Sequence, residues 1–353
     1  MSLPSRLSKL VDRITPLDLT VGEAVQRHLD SLTKPPGSLG RLEEIAWRLG
    51  VLRGGAPRVE RPALFTFAAD HGVVVEGVSA YPQSVTAQMV ENFVRGGAAV
   101  NVLARDAGAR VVIADFGVVN PVAPSATLVN CRIGAGTANM VLGAAMSRQQ
   151  ALRAMEAGAA LAEEAIAEGT DLLGTGEMGI GNTTAASAIT AAVTGAPAAA
   201  VTGRGTGIDE TAWRRKVQVV ERALACNRPD GRDAVDVLAK VGGFEIGGLV
   251  GVILAGAAER VPVVVDGFIA TAAALLAATL APAAAGVLFA SHRSVEPGHA
   301  EALRHLGLVP YLDLSLRLGE GTGAALFIHL ARAAARIYTE MATFKAAGVD
   351  GPR

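Results

Sequence analysis

Five short runs of apolar and β-branched residues punctuate the chain, at Ala63–Ala69, Arg110–Phe116, Asp171–Thr175, Val261–Val265 and Gly286–Ala290. Each ends in small or polar residues, which is the pattern of strands buried on both faces. Between them lie alanine-rich stretches with helical spacing: Val85–Ala104, Arg148–Glu168, Thr183–Val193, Asp209–Ala225 and Phe268–Ala278. Alternating strands and helices predict an α/β fold, a largely parallel sheet flanked by helices on both faces. The two chain ends fall outside this alternation. They predict a small helical domain, residues 1–60 plus 321–353, beside a large α/β domain of residues 61–320.

The strand ends carry the distinctive polar residues: Asp70 and His71, Asp115, Glu177, Asp266, then Ser291, His292 and Arg293. In open α/β sheets, ligands bind beyond the carboxyl ends of the strands, so one crevice is expected to collect several of these loops. The apolar run Phe268–Ala290 is long enough to span a bilayer, but it is mostly alanine, contains Pro282 and lies between Asp266 and His292. A buried helix followed by a buried strand accounts for it better than a membrane span.

Charge narrows the choice of ligand. Net charge is -1 and aromatics are 4% of residues, so no basic field awaits a nucleic acid, and a small neutral or anionic partner is expected. Cys131 and Cys226 are too few for a disulfide framework or a zinc cluster, which points to a reducing cytoplasm. The N-terminal stretch, with Arg6, Lys9, Asp12 and Arg13 among its apolar residues, reads as an amphipathic helix and lacks the apolar core of a signal peptide.

Three glycine loops carry the candidate chemistry. GTGEMGIGNTT, from Gly174 to Thr184, follows a strand and opens a helix, a junction that presents free backbone N–H groups to an anion; Gly179 and Asn182 are its substrate-facing candidates. Its GTGEMG also fits the dinucleotide fingerprint G-x-G-x-x-G, which keeps a dinucleotide-dependent oxidoreductase in view. Against that, Glu177 puts a carboxylate in the turn meant for a pyrophosphate, and no acid follows at the spacing that holds a ribose. A plainer reading makes the loop a turn in which Asn182 or Thr183 caps a helix and Glu177 faces solvent. GRGTG, from Gly203 to Gly207, supplies Arg204 and Thr206 and leads into a helix bearing Lys216; backbone N–H groups beside cations suit a phosphate monoester. No G-x-x-x-x-G-K-[ST] is present, which leaves a P-loop kinase or ATPase unsupported.

In LGEGTG, from Leu318, Glu320 stands between glycines just before the last helix. It reads either as a helix-start charge favoured by the macrodipole or, if desolvated, as a base. Asp70–His71 and His292–His299 lack metal-ligand spacing, so no metal is expected, and the first pair is expected to orient a loop. Lys34, in TKPPGSLGRLE, reads as part of a connection between two helices.

Eight blocks in order resemble the nicotinate-nucleotide:dimethylbenzimidazole phosphoribosyltransferase family: LTKPPGSLGRLE, ADHGV, YPQSVTAQM, GTGEMGIGNTT, GRGTG, VDGFI, SHRSVEPGH and LGEGTGAAL. The resemblance implies a Rossmann-like sheet, a small domain made from both ends and a homodimer. It implies Glu320 as general base, Tyr81 and Gln88 in the site for the incoming base, and Glu177 and Lys216 in the nucleotide site, with Gly205 in the phosphate cradle. It also implies transfer of ribose 5-phosphate from nicotinate mononucleotide to a benzimidazole, without a cofactor. The competing class is a mononucleotide-binding module without turnover, which has no use for a basic carboxylate beside an acceptor base.

Overall fold

The computed structural model describes residues 3–120 and 122–351. Its sheet comprises β1 (Pro62–Ala69), β2 (Arg110–Gly117), β3 (Leu128–Asn130), β4 (Leu172–Met178), β5 (Val263–Val265) and β6 (Leu288–Ala290). They run in the order β3-β2-β1-β4-β5-β6, and every ladder between them is parallel. This is the order of the doubly wound Rossmann sheet, whose topological switch lies between β1 and β4, and the crevice it opens lies beyond their carboxyl ends. β1 is buried along its whole length, and β4 along all but its last residue, because helices cover both faces.

One of those helices has no periodic signal in the sequence. Phe244–Ala258 is buried from Phe244 to Ala257, so its apolar residues surround it completely and mark no face. It packs on Arg148–Ala167, where the backbones meet so closely that a Cβ on Gly158 would overlap the Gly248 carbonyl.

Three predicted elements take a different form. The stretch expected as one helix over Val85–Ala104 is two, Ser84–Arg95 and Ala99–Asp106, because Gly96 adopts a left-handed conformation that ends the first. The break creates a helix N-terminus at Ala99. The final helix, expected to run from about Thr322 to Ala347, is Thr322–Glu340, followed after a short extended break by the single turn Phe344–Ala347. The glycine loop expected from Gly174 is strand as far as Met178, which leaves only Gly179–Gly181 as the turn.

The chain ends meet. Helix Arg41–Arg53 packs on Thr322–Glu340, Leu32 bridges antiparallel to Thr343, and Thr33 N–H donates to Ala342 O at 3.0 Å. The Thr322–Glu340 helix also packs on β4, β5 and Ala99–Asp106, so the segment after Glu320 is anchored in the sheet as well as in the helical ends. Among the described residues, no helix is long and apolar enough to cross a membrane.

Candidate active site

Beyond the strand carboxyl ends lies a cavity of about 450 Å³, a size that suits a small ligand. Apolar side chains from Val78, Tyr81, Val85, Met89, Met178, Ile180 and Leu318 line part of it. A polar set gathers around Gly205. Its N–H donates to Glu296 Oε1 at 2.8 Å, its carbonyl accepts from Arg317 at 3.2 Å, and Lys216 Nζ lies just beneath it, donating to Thr183 Oγ1 at 2.8 Å. Gly205 has φ 51°, the left-handed conformation that lets this loop fold tightly over Lys216.

Glu320 reaches the cavity from a turn held at every polar atom of its backbone. Its N–H donates to Glu177 O at 3.2 Å, and its carbonyl accepts Thr66 Oγ1 at 2.8 Å. Its φ of 64° places a non-glycine residue in the left-handed region, a conformation that persists only where surrounding contacts impose it. Gly176 permits the approach, since a Cβ there would overlap the Glu320 carbonyl. This explains a glycine inside β4 that otherwise weakens a strand.

Asp266, immediately after β5, completes the turn. Oδ1 accepts the N–H groups of Gly323 at 2.7 Å and Ala324 at 3.1 Å, and Oδ2 accepts Gly321 N–H at 3.1 Å. The helix Thr322–Glu340 has glycine at its own N-cap, so a carboxylate distant in sequence satisfies its free donors. The Glu320 carboxylate is itself met by Val100 N–H, which donates to Oε2 at 3.2 Å from the start of helix Ala99–Asp106. Burial raises the Glu320 pKa above the usual carboxylate value, and the Val100 N–H draws it part of the way back.

Its acidic neighbours are also shifted. Burial, then the nearby charges of Glu245 and Asp266, raises Glu177 well above the ordinary range, although Asn182 Nδ2 donates to its carboxylate. Burial lifts Asp266 to about 7 against the three N–H groups it accepts. Lys216 is drawn down to about 8, again by burial, with Glu296 acting in the opposite direction.

The cavity thus brings together Tyr81, Glu177, Gly179, Asn182, Gly205 and Glu320 from the residues singled out in the sequence, with Lys216 packed directly beneath. Two others lie apart from it. Gln88 is exposed on helix Ser84–Arg95, where its neighbour Met89 faces the cavity. Arg204 turns outward to Glu210 at 2.6 Å and lines an adjoining shallow depression. Glu177 is buried, which overturns the reading of it as a solvent-facing turn residue. The apparent dinucleotide fingerprint is also removed: GTGEM is strand and cannot form the turn that a pyrophosphate requires.

Arg317, Ser294 and Glu296, which line the cavity, and Asp266 had no role assigned from the sequence, although SHRSVEPGH contains the middle two. Arg317 carried a usable signal, standing three positions before Glu320. Asp70 and His71 hold loops, as expected: Asp70 accepts Val119 N–H at 2.7 Å, and His71 Nε2 pairs with Glu245 at 2.6 Å behind Gly179. Lys34 pairs with Glu43 at 2.8 Å between two helices.

A parallel doubly wound sheet whose crevice holds a buried carboxylate and a cation-flanked glycine loop defines an α/β protein with a small-molecule cavity at its strand ends. The phosphoribosyltransferase family profile matches residues 14–349. A nicotinate-nucleotide–dimethylbenzimidazole phosphoribosyltransferase of Roseiflexus sp. (strain RS-1) is 56% identical over 348 residues, 98% of this chain and 99% of its own length. The protein of that name from Geobacter metallireducens is 53% identical over 348 residues, 98% of this chain and 99% of its own. The crystal structure of the Thermus thermophilus enzyme of this name superimposes with a TM-score of 0.90 at 50% identity, covering 95% of this chain and 100% of that one. The chain belongs to the nicotinate-nucleotide–dimethylbenzimidazole phosphoribosyltransferases, a family of pentosyltransferases.

Proposed function

We propose that the protein transfers ribose 5-phosphate from nicotinate mononucleotide to 5,6-dimethylbenzimidazole, giving α-ribazole 5′-phosphate and nicotinate for the nucleotide loop of cobalamin, with Glu320 as general base. The observation that carries this reading is the buried, raised-pKa carboxylate of Glu320 beside an apolar wall, in the same cavity as the Gly205 loop with its two cations. A module that only binds nucleotides has no use for the first of these features.

The chemistry asks little of the protein on the leaving side. In nicotinate mononucleotide the ring nitrogen is a pyridinium, so when the bond to C1′ breaks its electron pair returns to that nitrogen and no acid is needed. A benzimidazole nitrogen forms the new bond to C1′ from the opposite face as the sugar becomes oxocarbenium-like, converting β to α. Glu320 accepts the proton from the other ring nitrogen.

The apolar residues around Tyr81, Val85 and Met89 suit the flat acceptor, and the start of helix Asn182–Thr194, where Asn182 and Thr184 N–H donate to Gly179 and Gly181 carbonyls but Thr183 N–H does not, suits the phosphate. Arg317 and Lys216 supply the positive charge there, and Arg317 replaces Arg204 in this role because it faces the cavity. In this reading the helical ends form the small domain, and the enzyme works as a cytoplasmic homodimer. Incubation with both substrates and assay of nicotinate release tests the proposal: release that depends on the benzimidazole supports it, and binding of the nucleotide without release identifies a non-catalytic module.

A further inference from the structure

His292 follows β6 and lines the cavity, yet the chemistry above leaves it unused. Its hydrogen bonds decide which of its nitrogens carries the proton. Ser291 Oγ has one hydrogen and donates it to the Asp266 carbonyl at 2.9 Å. Ser291 Oγ also meets His292 Nδ1 at 2.9 Å, so in that contact the imidazole must be the donor. The Asp266 carboxylate, 3.8 Å from the same nitrogen, favours a proton there too. Burial lowers the His292 pKa to about 4, which keeps the ring neutral. Nε2 therefore keeps its lone pair, has no partner among the described residues and lies beside Gly267, another lining residue.

Its position in the cavity limits what that lone pair meets. The His292 ring packs against Gly323, at the start of the helix that the Glu320 turn leads into. Four residues further along the same loop, Glu296 accepts Gly205 N–H in the phosphate cradle. The His292–Glu296 loop thus spans from the general base to the anion site, and between an acceptor base and a phosphate lies the sugar.

We infer that His292 Nε2 accepts a hydrogen bond from a hydroxyl of the donor's ribose, making it a specificity residue for ribosyl over deoxyribosyl donors. The inference rests on the transferase reading. The Nδ1–H tautomer held by Ser291 and Asp266 is what makes the ring an acceptor instead of a donor.

The test compares nicotinate release from nicotinate mononucleotide and from its 2′-deoxy and 3′-deoxy analogues, for wild type, His292→Asn and His292→Gln. Asparagine keeps an amide N–H for Ser291 but presents nothing at the Nε2 position, whereas glutamine places its amide oxygen there. Comparing enzymes on the same donor cancels the greater intrinsic lability of a deoxyribosyl bond. With one of the analogues, wild type is expected to discriminate about 10-fold more than His292→Asn in kcat/KM, and His292→Gln to recover part of that preference. Equal discrimination by wild type and His292→Asn against both analogues overturns the inference while leaving the transferase reading intact. A wild type that releases no nicotinate overturns both. If His292→Asn does not fold, His292→Phe gives the same comparison.

Discussion

Glu320 stands under two opposing influences, burial that favours its protonated form and a helix N-terminus that favours the carboxylate, and burial prevails. A general base acts only when ionised. The rate is therefore expected to be full above its raised pKa and to fall as pH drops through it, placing the acid limb of the kcat profile above the ordinary glutamate value of 4.5. Glu320→Gln keeps the shape but removes the proton acceptor, so kcat should fall about 10²- to 10⁴-fold while affinity for nicotinate mononucleotide changes little. A more acidic benzimidazole needs less help and should lose less. Equal activity of mutant and wild type from about pH 6 to 9 would move the role to Glu177, the other buried glutamate of the cavity lining beside that turn. At the phosphate end, Lys216 is charged below about 8 and neutral above it. Nucleotide affinity should consequently decline as pH rises through that value, and Lys216→Met should be weaker and lack this transition. Arg317→Ala should weaken nucleotide binding by about 1.5 to 3 kcal/mol, the range for a lost charge-assisted contact, whereas Arg204→Ala, whose side chain turns away from the cavity to Glu210, should leave it nearly unchanged. Calorimetric titration distinguishes these cases.

At the scale of elements, the site depends on one turn clamped between three strands and two helix starts. Asp266 at the end of β5 supplies the missing cap of helix Thr322–Glu340, and Gly176 in β4 leaves room for the Glu320 carbonyl. Asp266→Asn exchanges one accepting oxygen for a donor that faces a backbone N–H. A loss of about 1 to 3 kcal/mol in denaturant stability is expected, accompanied by a lower kcat as the turn relaxes. Gly176→Ala displaces the same turn from below and should lower kcat with little effect on nucleotide affinity. These dependencies also mark how far the sequence was legible. Strands that end in polar residues, and the glycines around Glu320, were visible because local pattern determines them. The Asp266 cap was not, since its partners lie more than fifty residues away and only the sheet brings them together. Helix Phe244–Ala258 escaped because complete burial erases periodicity. Arg204 misled for a similar reason: it adjoins the glycine loop in sequence, but nearby Glu210 draws it outward, while Arg317 arrives from a distant segment.

At the scale of the whole molecule, the rim of the cavity carries an apolar surface that the single chain leaves uncovered. Tyr81 and Leu318, at its mouth, are 54% and 57% exposed, and Val295 and Leu314, on the two neighbouring loops, are 52% and 55% exposed. These loops are joined by backbone hydrogen bonds, from Arg293 N–H to Leu312 O at 2.7 Å and from Val295 N–H to Leu316 O at 3.3 Å, so the patch belongs to a fixed surface. Apolar exposure beside a ligand site is unfavourable in water, and such a surface is expected to be covered in use. The covering partner expected here is a second copy of the chain, because an oligomer of identical subunits closes such a patch by symmetry, and a net charge of -1 offers little repulsion between copies. Light scattering at micromolar concentration should give twice the mass of 36.0 kDa. Val295→Arg combined with Leu314→Arg, two exposed side chains that do not line the cavity, should shift the mass toward one chain by burying unpaired charge at the contact. A wild-type protein that is monomeric and fully active at that concentration would remove the dimer without touching the assignment of Glu320, whereas dissociation of the variant accompanied by a rise in KM for the benzimidazole, with kcat for bound substrate retained, would show that the second copy closes the acceptor side of the cavity.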